Sequence, residues 1–200
     1  MRKYGESVKN RKYSPAELTK VLRRFAQDDD TKLKTKRDKD VDLNQVIVCG
    51  LYDPAEDESN YPSITIYIMF NPEQKEIRIR DLDWKQLCID LIECQGHEIV
   101  HQQQFRARSF DIGPALFVST SNDEDRRKEQ EYLGNQDEID AYSYSIAIET
   151  FLKHNPKKLT IKHLKKSSLF KAYRLAFGVE HPIVQQLIYY SVKYYSKLKN

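Results

Sequence analysis

The chain has 200 residues and a formal net charge of +3 at pH 7, which by itself implies no particular partner. Its 40% of hydrophobic side chains suits one domain over residues 1–200, large enough to bury a core without disulfides or structural metals. No run reaches the ~18 apolar residues that span a membrane, and the N-terminus lacks the apolar segment of a secretion signal. We therefore expect a cytoplasmic protein without a membrane partner.

The three cysteines point to the same compartment. Cys49, Cys88 and Cys94 are odd in number and lack C-x-x-C spacing, so we expect reduced, buried thiols. Cys94 lies three residues before His97 and could face the same side of a helix. We nevertheless expect Cys94 to be a small, buried apolar side chain rather than a metal ligand.

The N-terminal segment combines a polar arm with a helix start. Residues 1–13 are basic and polar, and are predicted to be a loose arm. Ser14, Pro15 and Glu17 then have the pattern of an N-cap, a proline at the first helical position and a capping-box glutamate. This pattern predicts a helix that continues to about Gln27.

A small sheet is predicted next. Residues 28–42 mix charges without apolar periodicity, which predicts an exposed charged loop. Three strand candidates follow: an apolar run at 46–49, an alternating segment at 62–70 and a second alternation at 76–80. Residues 71–74, Asn-Pro-Glu-Gln, are typical of a hairpin turn between the last two. We expect these strands to form an antiparallel or mixed sheet.

The most informative motif lies on the next helix, which is predicted from Trp84 to about Phe105 with Asp83 as its N-cap. The residues from His97 to His101 read H-E-I-V-H. Two histidines four apart on a helix differ by about 40° of rotation and roughly 6 Å of rise, so both imidazoles can bind one tetrahedral metal ion. Glu98 can reach a water on that ion without being a ligand, which predicts a zinc hydrolase. The glutamines after the motif are expected to face solvent, although the first could reach the cleft: Gln102, Gln103 and Gln104.

Catalytic zinc takes three protein ligands and keeps one position open for water, so a third ligand is needed. The next histidine is His154, which excludes the H-E-x-x-H-x-x-G-x-x-H arrangement. A glutamate from a second helix, predicted over residues 129–153, is the other common source. We favour Glu138, because the small Ala141 one turn further would let the two helices approach closely. Asp140 is predicted to accept a hydrogen bond from a ligand histidine. Other acidic side chains remain open as the third ligand: Glu131, Asp137, Asp140 and Glu149.

A site of this kind predicts a definite mechanism. Zinc would lower the pKa of its bound water toward about 7, and Glu98 would take the proton and pass it to the leaving amine. The developing oxyanion needs a further donor, for which Tyr142, one turn past Glu138, is the first candidate. The segment Ile64–Phe70 is predicted to be an exposed edge strand that could bind a peptide by strand addition. Two other tyrosines are alternative donors: Tyr132 and Tyr144.

A sheet followed by GHEIVHQQQ on one helix and EIDAYSYSIA on the next resembles the zincin metallopeptidases. The likeness is to the gluzincin type and, in style, to short bacterial and phage-encoded minimal zincins. It covers roughly residues 62–150, and its specific part is the H-E-x-x-H motif. The chain departs from thermolysin-like members because it lacks N-E-x-x-x-D and has a longer spacer to Glu138.

The resemblance implies an α+β, zincin-like fold, in which a small sheet packs on the motif helix and on a glutamate-bearing helix. It implies one Zn²⁺ per chain, held by His97, His101 and Glu138, with Glu98 as the general base. The implied substrate is a protein or peptide. The implied setting is the cytoplasm of a bacterium or of a phage-infected host.

The C-terminal part has a different character. Residues 155–200 are predicted to be a basic helical extension, interrupted near Gly178 and at His181–Pro182. Its charge supports an alternative function, a nucleic-acid- or nucleoprotein-associated protein with a structural or vestigial zinc site. Glu98 argues against that alternative, because a structural zinc site has no use for it. The basic side chains are Lys153, Lys157, Lys158, Lys162, Lys165, Lys166, Lys171 and Arg174.

Overall fold

The computed structural model describes residues 11–26, 28–111 and 117–199. Its contacts divide the chain into two units, Met1–Ile99 and Val100–Asn200. The division falls within the long helix that carries the H-E-x-x-H motif, so this helix contributes residues to both units. Helices and two small sheets are both present, which confirms the α+β class.

The first unit contains the strands. In chain order its elements are β1 (Lys12–Tyr13), α1 (Pro15–Ala26), β2 (Thr31–Arg37), β3 (Ile47–Tyr52), α2 (Pro54–Glu58), β4 (Ile64–Phe70), β5 (Ile77–Arg78) and the first part of α3 (Asp81–Ala107). Helix α1 begins as predicted, because the Ser14 amide donates to Glu17 Oε2 at 2.8 Å in a capping box.

The larger sheet has the strand order β2-β4-β3 and is mixed, with β2 parallel and β3 antiparallel to β4. The prediction that Ile64–Phe70 is an exposed edge strand is wrong, because this strand lies between the other two. Its apolar side chains point to both faces, which suits a strand buried on both sides. Within the described residues, β2 and β3 each have a neighbouring strand on one side only, so both are edges of this sheet. The buried side chains of β4 include Ile64, Ile66, Ile68 and Phe70.

Strand β2 corrects the prediction of a charged loop over residues 28–42. Thr31 and Leu33 are buried at 1% and 2% exposure, whereas Lys34 and Lys36 face outward. Only the first three residues of β2 alternate in burial, since residues 34–37 are all exposed, and threonine and lysine replace the usual apolar residues. A strand rich in lysine lacks the apolar alternation by which strands are recognised in a sequence. Residues 31–37 form a strand because they pair with β4.

The smaller sheet corrects two further predictions. β5 pairs with β1 rather than with β4, so the predicted hairpin is absent from the described strands. The turn itself exists, since the Gln74 amide donates to the Asn71 carbonyl at 3.0 Å. Lys12 and Tyr13 belong to this sheet and not to a loose arm. Arg11 is also ordered, since its carbonyl accepts from the Ile79 amide at 3.1 Å, and residues 1–10 of the predicted arm lie outside the described residues.

Helix α3 begins at Asp81, three residues before the predicted start at Trp84. Asp83 is therefore inside the first turn rather than at the N-cap. Its carboxylate accepts from the Arg80 amide at 3.2 Å and from the Arg80 guanidinium at 2.8 Å. The helix continues to Ala107, two residues past the predicted end, so the motif sits well inside a regular helix.

The second unit is helical. After the end of α3 it contains α4 (Glu124–Leu133), α5 (Gln136–Lys153), α6 (Ile161–Leu164), α7 (Ser168–Phe177) and α8 (Pro182–Lys199). One helix was expected over residues 129–153, and this expectation is wrong, since Gly134 ends α4 and Asn135 caps α5. A Cβ at Gly134 would lie 2.7 Å from Phe117 Cβ, so a close packing contact requires glycine at the break.

The region expected as a C-terminal extension supplies much of the core of the second unit. Side chains from α7 and α8 are buried together with those of α5, and helix breaks fall near Gly178 and Pro182 as predicted. No helix within the described residues has the length and apolar character required to cross a membrane. The most deeply buried members of this core include Ile146, Leu164, Phe170, Tyr173, Val184 and Leu187.

Candidate metal centre

Two histidines and a glutamate form the candidate site. His97 and His101 are one turn apart on α3, with His97 buried and His101 half-buried. Glu138 lies in the first turn of α5, which the cap at Asn135 starts. One ligand atom of each of these three side chains lies within 4.8 Å of those of the other two, a spacing that could hold a metal ion.

The donors suit a transition-metal ion. His101 Nε2 and Glu138 Oε1 are 3.4 Å apart, so an imidazole nitrogen and a carboxylate oxygen face the same point. Two imidazoles and one carboxylate are the ligand set of many catalytic zinc sites, in which the fourth position belongs to water. The residues present therefore fit such an ion. The sequence had favoured Glu138 among several carboxylates, and the structure brings that residue to the histidines.

Three of the other carboxylates that were considered as the third metal ligand either pair with basic side chains or lie on a different helix. Asp137 forms an ion pair with Arg108, whose Nη2 lies 2.6 Å from its Oδ2. Glu149 Oε1 lies 2.7 Å from Lys153 Nζ, three turns further along α5. Glu131 is half-buried on α4, the preceding helix. These carboxylates are outside the group formed by the two histidines and Glu138.

Glu98 occupies a tightly defined position. Its side chain is 8% exposed and follows His97 on α3. Strand β3 crosses close to it, because a Cβ built on Gly50 would lie 2.5 Å from Glu98 Oε1 and 2.6 Å from its Cγ. Real Cβ contacts are never this short, so only glycine at position 50 lets Glu98 keep this conformation. This contact was not predictable from the sequence, because Gly50 follows the strand candidate 46–49 and lies far along the chain from the motif.

A group of tyrosines surrounds Glu138. The hydroxyls of Tyr132 and Tyr142 are 3.3 Å apart. The Tyr132 side chain is 51% exposed. Partial burial, the negative charge of Glu138 and hydrogen bonds with Tyr142 and Glu138 raise the pKa of Tyr132, so its hydroxyl stays protonated at neutral pH. Tyr142 packs against Tyr173 with ring centroids 5.8 Å apart. Tyr144 instead packs against Tyr194, at 5.4 Å, and burial raises its pKa.

The glutamines after the motif differ from their predicted solvent-facing positions. Gln102 is buried at 5% exposure, and of the three only Gln103 is exposed. Gln104 Oε1 lies 3.0 Å from His101 Nδ1, and its amide nitrogen donates to Asp140 Oδ2 at 3.3 Å. Asp140 was expected to bind a ligand histidine directly, whereas the structure places Gln104 between the two.

The cysteines take no part in the candidate group. Cys49 is exposed, which contradicts the expected burial, while Cys88 and Cys94 are partly buried. Burial raises the pKa of Cys88 to about 11. Burial, followed by the negative charge of Glu98, raises the pKa of Cys94. Both of these thiols are therefore protonated at neutral pH, and a thiol rather than a thiolate is a poor metal ligand.

Comparison with known proteins finds no matching family model, no similar curated protein and no similar solved structure.

Proposed function

We propose that this protein is a zinc-dependent metallopeptidase. The observation that carries the proposal is the convergence of His97, His101 and Glu138 within 4.8 Å, beside a buried Glu98 on the same helix as the histidines. Two imidazoles and one carboxylate leave a coordination position open, which distinguishes catalytic from structural zinc sites. A structural site would need a fourth protein ligand and would have no use for Glu98.

The chemistry divides between the ion and the chain. A bound Zn²⁺ supplies Lewis acidity, which polarises a carbonyl and makes a water easier to deprotonate. Glu98 accepts the proton of the attacking water and returns it to the amine that leaves, so one carboxylate acts as base and then as acid. Because Gly50 has no side chain, the Glu98 carboxylate can lie against strand β3, where it is buried before the substrate arrives.

Strand β3 supports a peptide as the substrate. It is an edge of the three-stranded sheet within the described residues, and its residue Gly50 lies against Glu98. An extended peptide can add to such an edge through main-chain hydrogen bonds, which bind substrates of varied sequence. The strand that was expected to have this role, Ile64–Phe70, is internal, so β3 replaces it in the proposal.

Gly50→Ala is expected to lower peptide hydrolysis by about 10–100-fold, because an error of about 1 Å in a catalytic group costs up to roughly 10²-fold. The new methyl group meets the flexible end of Glu98 rather than backbone, so the carboxylate moves while the strand remains. Turnover, zinc content and the unfolding temperature would be measured together. Unchanged turnover in a folded, zinc-loaded variant would show that the position of Glu98 is unimportant.

We favour Tyr132 over Tyr142 to stabilise the oxyanion, because a hydrogen bond between the Tyr132 hydroxyl and Glu138 places it beside the candidate site. We expect Tyr132→Phe to lower kcat by about 10²-fold, as the loss of one oxyanion donor does, with little change in KM. Tyr142→Phe should have a smaller effect, and Tyr144→Phe serves as the control on the same helix. A larger loss in Tyr142→Phe than in Tyr132→Phe would assign the role to Tyr142, as the sequence had favoured.

The proposal is tested by metal content and cleavage in one preparation. Elemental analysis of the purified protein, as isolated and after addition of zinc, should give about one zinc per chain, the number that one such site binds. Mass spectrometry of an unfolded protein substrate should then find new termini, whose formation stops with a zinc chelator and resumes with added zinc. Zinc without cleavage would remove the peptidase part of the proposal and leave the metal site.

Absence of zinc even after reconstitution would favour the second candidate, a nucleic-acid-associated protein. The basic side chains of the C-terminal region are mostly exposed, with Lys153 and Arg174 half-buried, and clustered lysines bind phosphates with a strong dependence on salt. The exposed lysines of this region are Lys157, Lys158, Lys162, Lys165, Lys166 and Lys171.

A further inference from the structure

A chain of hydrogen bonds leads from His101 to the C-terminal helix. His101 Nδ1 lies 3.0 Å from Gln104 Oε1. The amide nitrogen of Gln104 donates to the Asp137 carbonyl at 3.1 Å and to Asp140 Oδ2 at 3.3 Å. The second carboxylate oxygen of Asp140 accepts from the Tyr194 hydroxyl at 2.8 Å. Four side chains from α3, α5 and α8 are thus joined in a single series.

The direction of each bond in this series follows from the chemistry of the groups. A carboxylate only accepts, so Tyr194 must donate to Asp140. The side-chain amide of Gln104 faces two acceptors, the Asp137 carbonyl and the Asp140 carboxylate, so it must turn its NH₂ toward them. Its oxygen then faces His101 Nδ1, and because that oxygen only accepts, the hydrogen bond between them forms when the proton of the neutral imidazole is on Nδ1.

The tautomer of His101 determines whether its other ring nitrogen, Nε2, can bind a metal ion. With the proton on Nδ1, His101 Nε2 has a lone pair, and this is the nitrogen that lies 3.4 Å from Glu138 Oε1. Two electron-rich atoms that face each other at this distance are both satisfied by a cation between them. Reversal of the Gln104 amide would give the opposite tautomer, but it would place the amide oxygen against two other acceptors.

Tyr194 is well placed to keep the series in this direction. Burial, followed by its hydrogen bond to Asp140, raises the pKa of Tyr194, so its hydroxyl remains a donor at neutral pH. Its ring is held edge-on against Tyr144, with centroids 5.4 Å apart. The tyrosine therefore fixes Asp140, and Asp140 fixes the amide of Gln104.

We propose that Gln104, oriented by Asp140 and Tyr194, selects the Nδ1–H tautomer of His101 and thereby presents Nε2 as the ligand atom. These three residues are positioning residues, since none of them belongs to the candidate metal group. The inference deepens the proposed function and rests on it only for the identity of the metal. It makes the C-terminal helix, which packs on α5 through the apolar core of the second unit, a support of the candidate metal centre.

The direct test is the tautomer of His101 in the full-length, metal-free protein. Nitrogen-15 NMR distinguishes the two ring nitrogens, and the His101 signals are identified by their loss in His101→Ala. Above the pH at which the ring loses its second proton, we expect Nδ1 to be protonated in the wild-type protein. Protonation on Nε2 would overturn the proposal. This measurement needs neither zinc nor activity, so it separates this inference from the proposed function.

Two variants test the source of the preference. Gln104→Leu, which keeps bulk but removes both amide groups, should mix the tautomers and weaken zinc binding by about 10–100-fold, as the loss of an outer partner of a ligand histidine does. Tyr194→Phe keeps the ring and should act in the same direction at the lower end of that range. Tyr190→Phe, one turn away on α8, is the matched control and should change neither quantity.

Zinc affinity would be measured by competition with a coloured chelator, and folding by circular dichroism. A wild-type tautomer ratio and wild-type zinc affinity in folded Gln104→Leu would overturn the proposal. If Gln104→Leu fails to fold, Tyr194→Phe provides the test of the proposal. It removes only one hydroxyl from a half-buried ring, so we expect it to fold. An effect of Tyr190→Phe equal to that of Tyr194→Phe would also count against it.

Discussion

Replacing Glu98 with glutamine is expected to lower the rate of peptide hydrolysis by about 10²–10⁴-fold, the usual contribution of a general base. Glutamine has almost the same shape and fits the same space beside Gly50, but its amide cannot accept the proton of the attacking water. Since Glu98 is not among the three candidate ligands, zinc content should remain about one per chain. The loss should therefore appear in kcat while KM changes little.

The measurement is the steady-state rate on an unfolded protein or peptide substrate, with zinc determined in the same samples. Glu93→Gln is the matched control, because this glutamate lies on the same helix, is also partly buried and is outside the candidate group. Wild-type turnover in Glu98→Gln would remove Glu98 from the mechanism. Loss of zinc from Glu98→Gln would instead make this carboxylate a ligand and require a different base.

Replacing Glu138 with alanine is expected to weaken zinc binding by more than the roughly 10–100-fold that the loss of an outer partner costs. It removes one of three protein ligands and leaves His97 and His101, which sit on a single helix and cannot by themselves surround the ion. The His101→Ala variant should behave in the same way. Both variants should also lose the added thermal stability that bound zinc gives the wild-type protein by mass action.

Zinc affinity by chelator competition and the unfolding temperature with and without zinc are the two measurements. Glu131→Ala is the matched control, since Glu131 lies on the preceding helix outside the group and should leave both values unchanged. Zinc binding that survives Glu138→Ala but not Glu131→Ala would transfer the third position to Glu131. Survival in both variants would direct attention to the remaining acidic side chains, Asp137, Asp140 and Glu149.

Several elements were predictable because their signals are local. The helix over Pro15–Ala26 has its cap, proline and capping-box glutamate within four residues. The strand Ile64–Phe70 has an alternating apolar pattern, and the long helix contains the H-E-x-x-H motif, whose two histidines are four residues apart. In each case the residues that determine the element lie within it, so no knowledge of the rest of the chain is needed.

The wrong predictions concern elements whose structure depends on segments that are distant in the sequence. β2 is a strand because β4 pairs with it in parallel, although its own residues are mostly lysine and threonine. Gly134, at the break between α4 and α5, lies against Phe117, which is 17 positions earlier in the chain (134 − 117). β5 pairs with β1 across most of the first unit, so the turn after β4 could not reveal its partner.

The sequence by itself determined the pair of histidines and the adjacent glutamate, because helical geometry places residues four apart on one face. For the third metal ligand, the sequence could favour Glu138 but left several other carboxylates open. Tertiary structure decided which carboxylate approaches His101, that Glu98 lies against Gly50, and that Gln104 connects His101 to the C-terminal helix. The physical reason is that intrahelical spacing is a property of one segment, whereas these three contacts exist only when separate segments pack together.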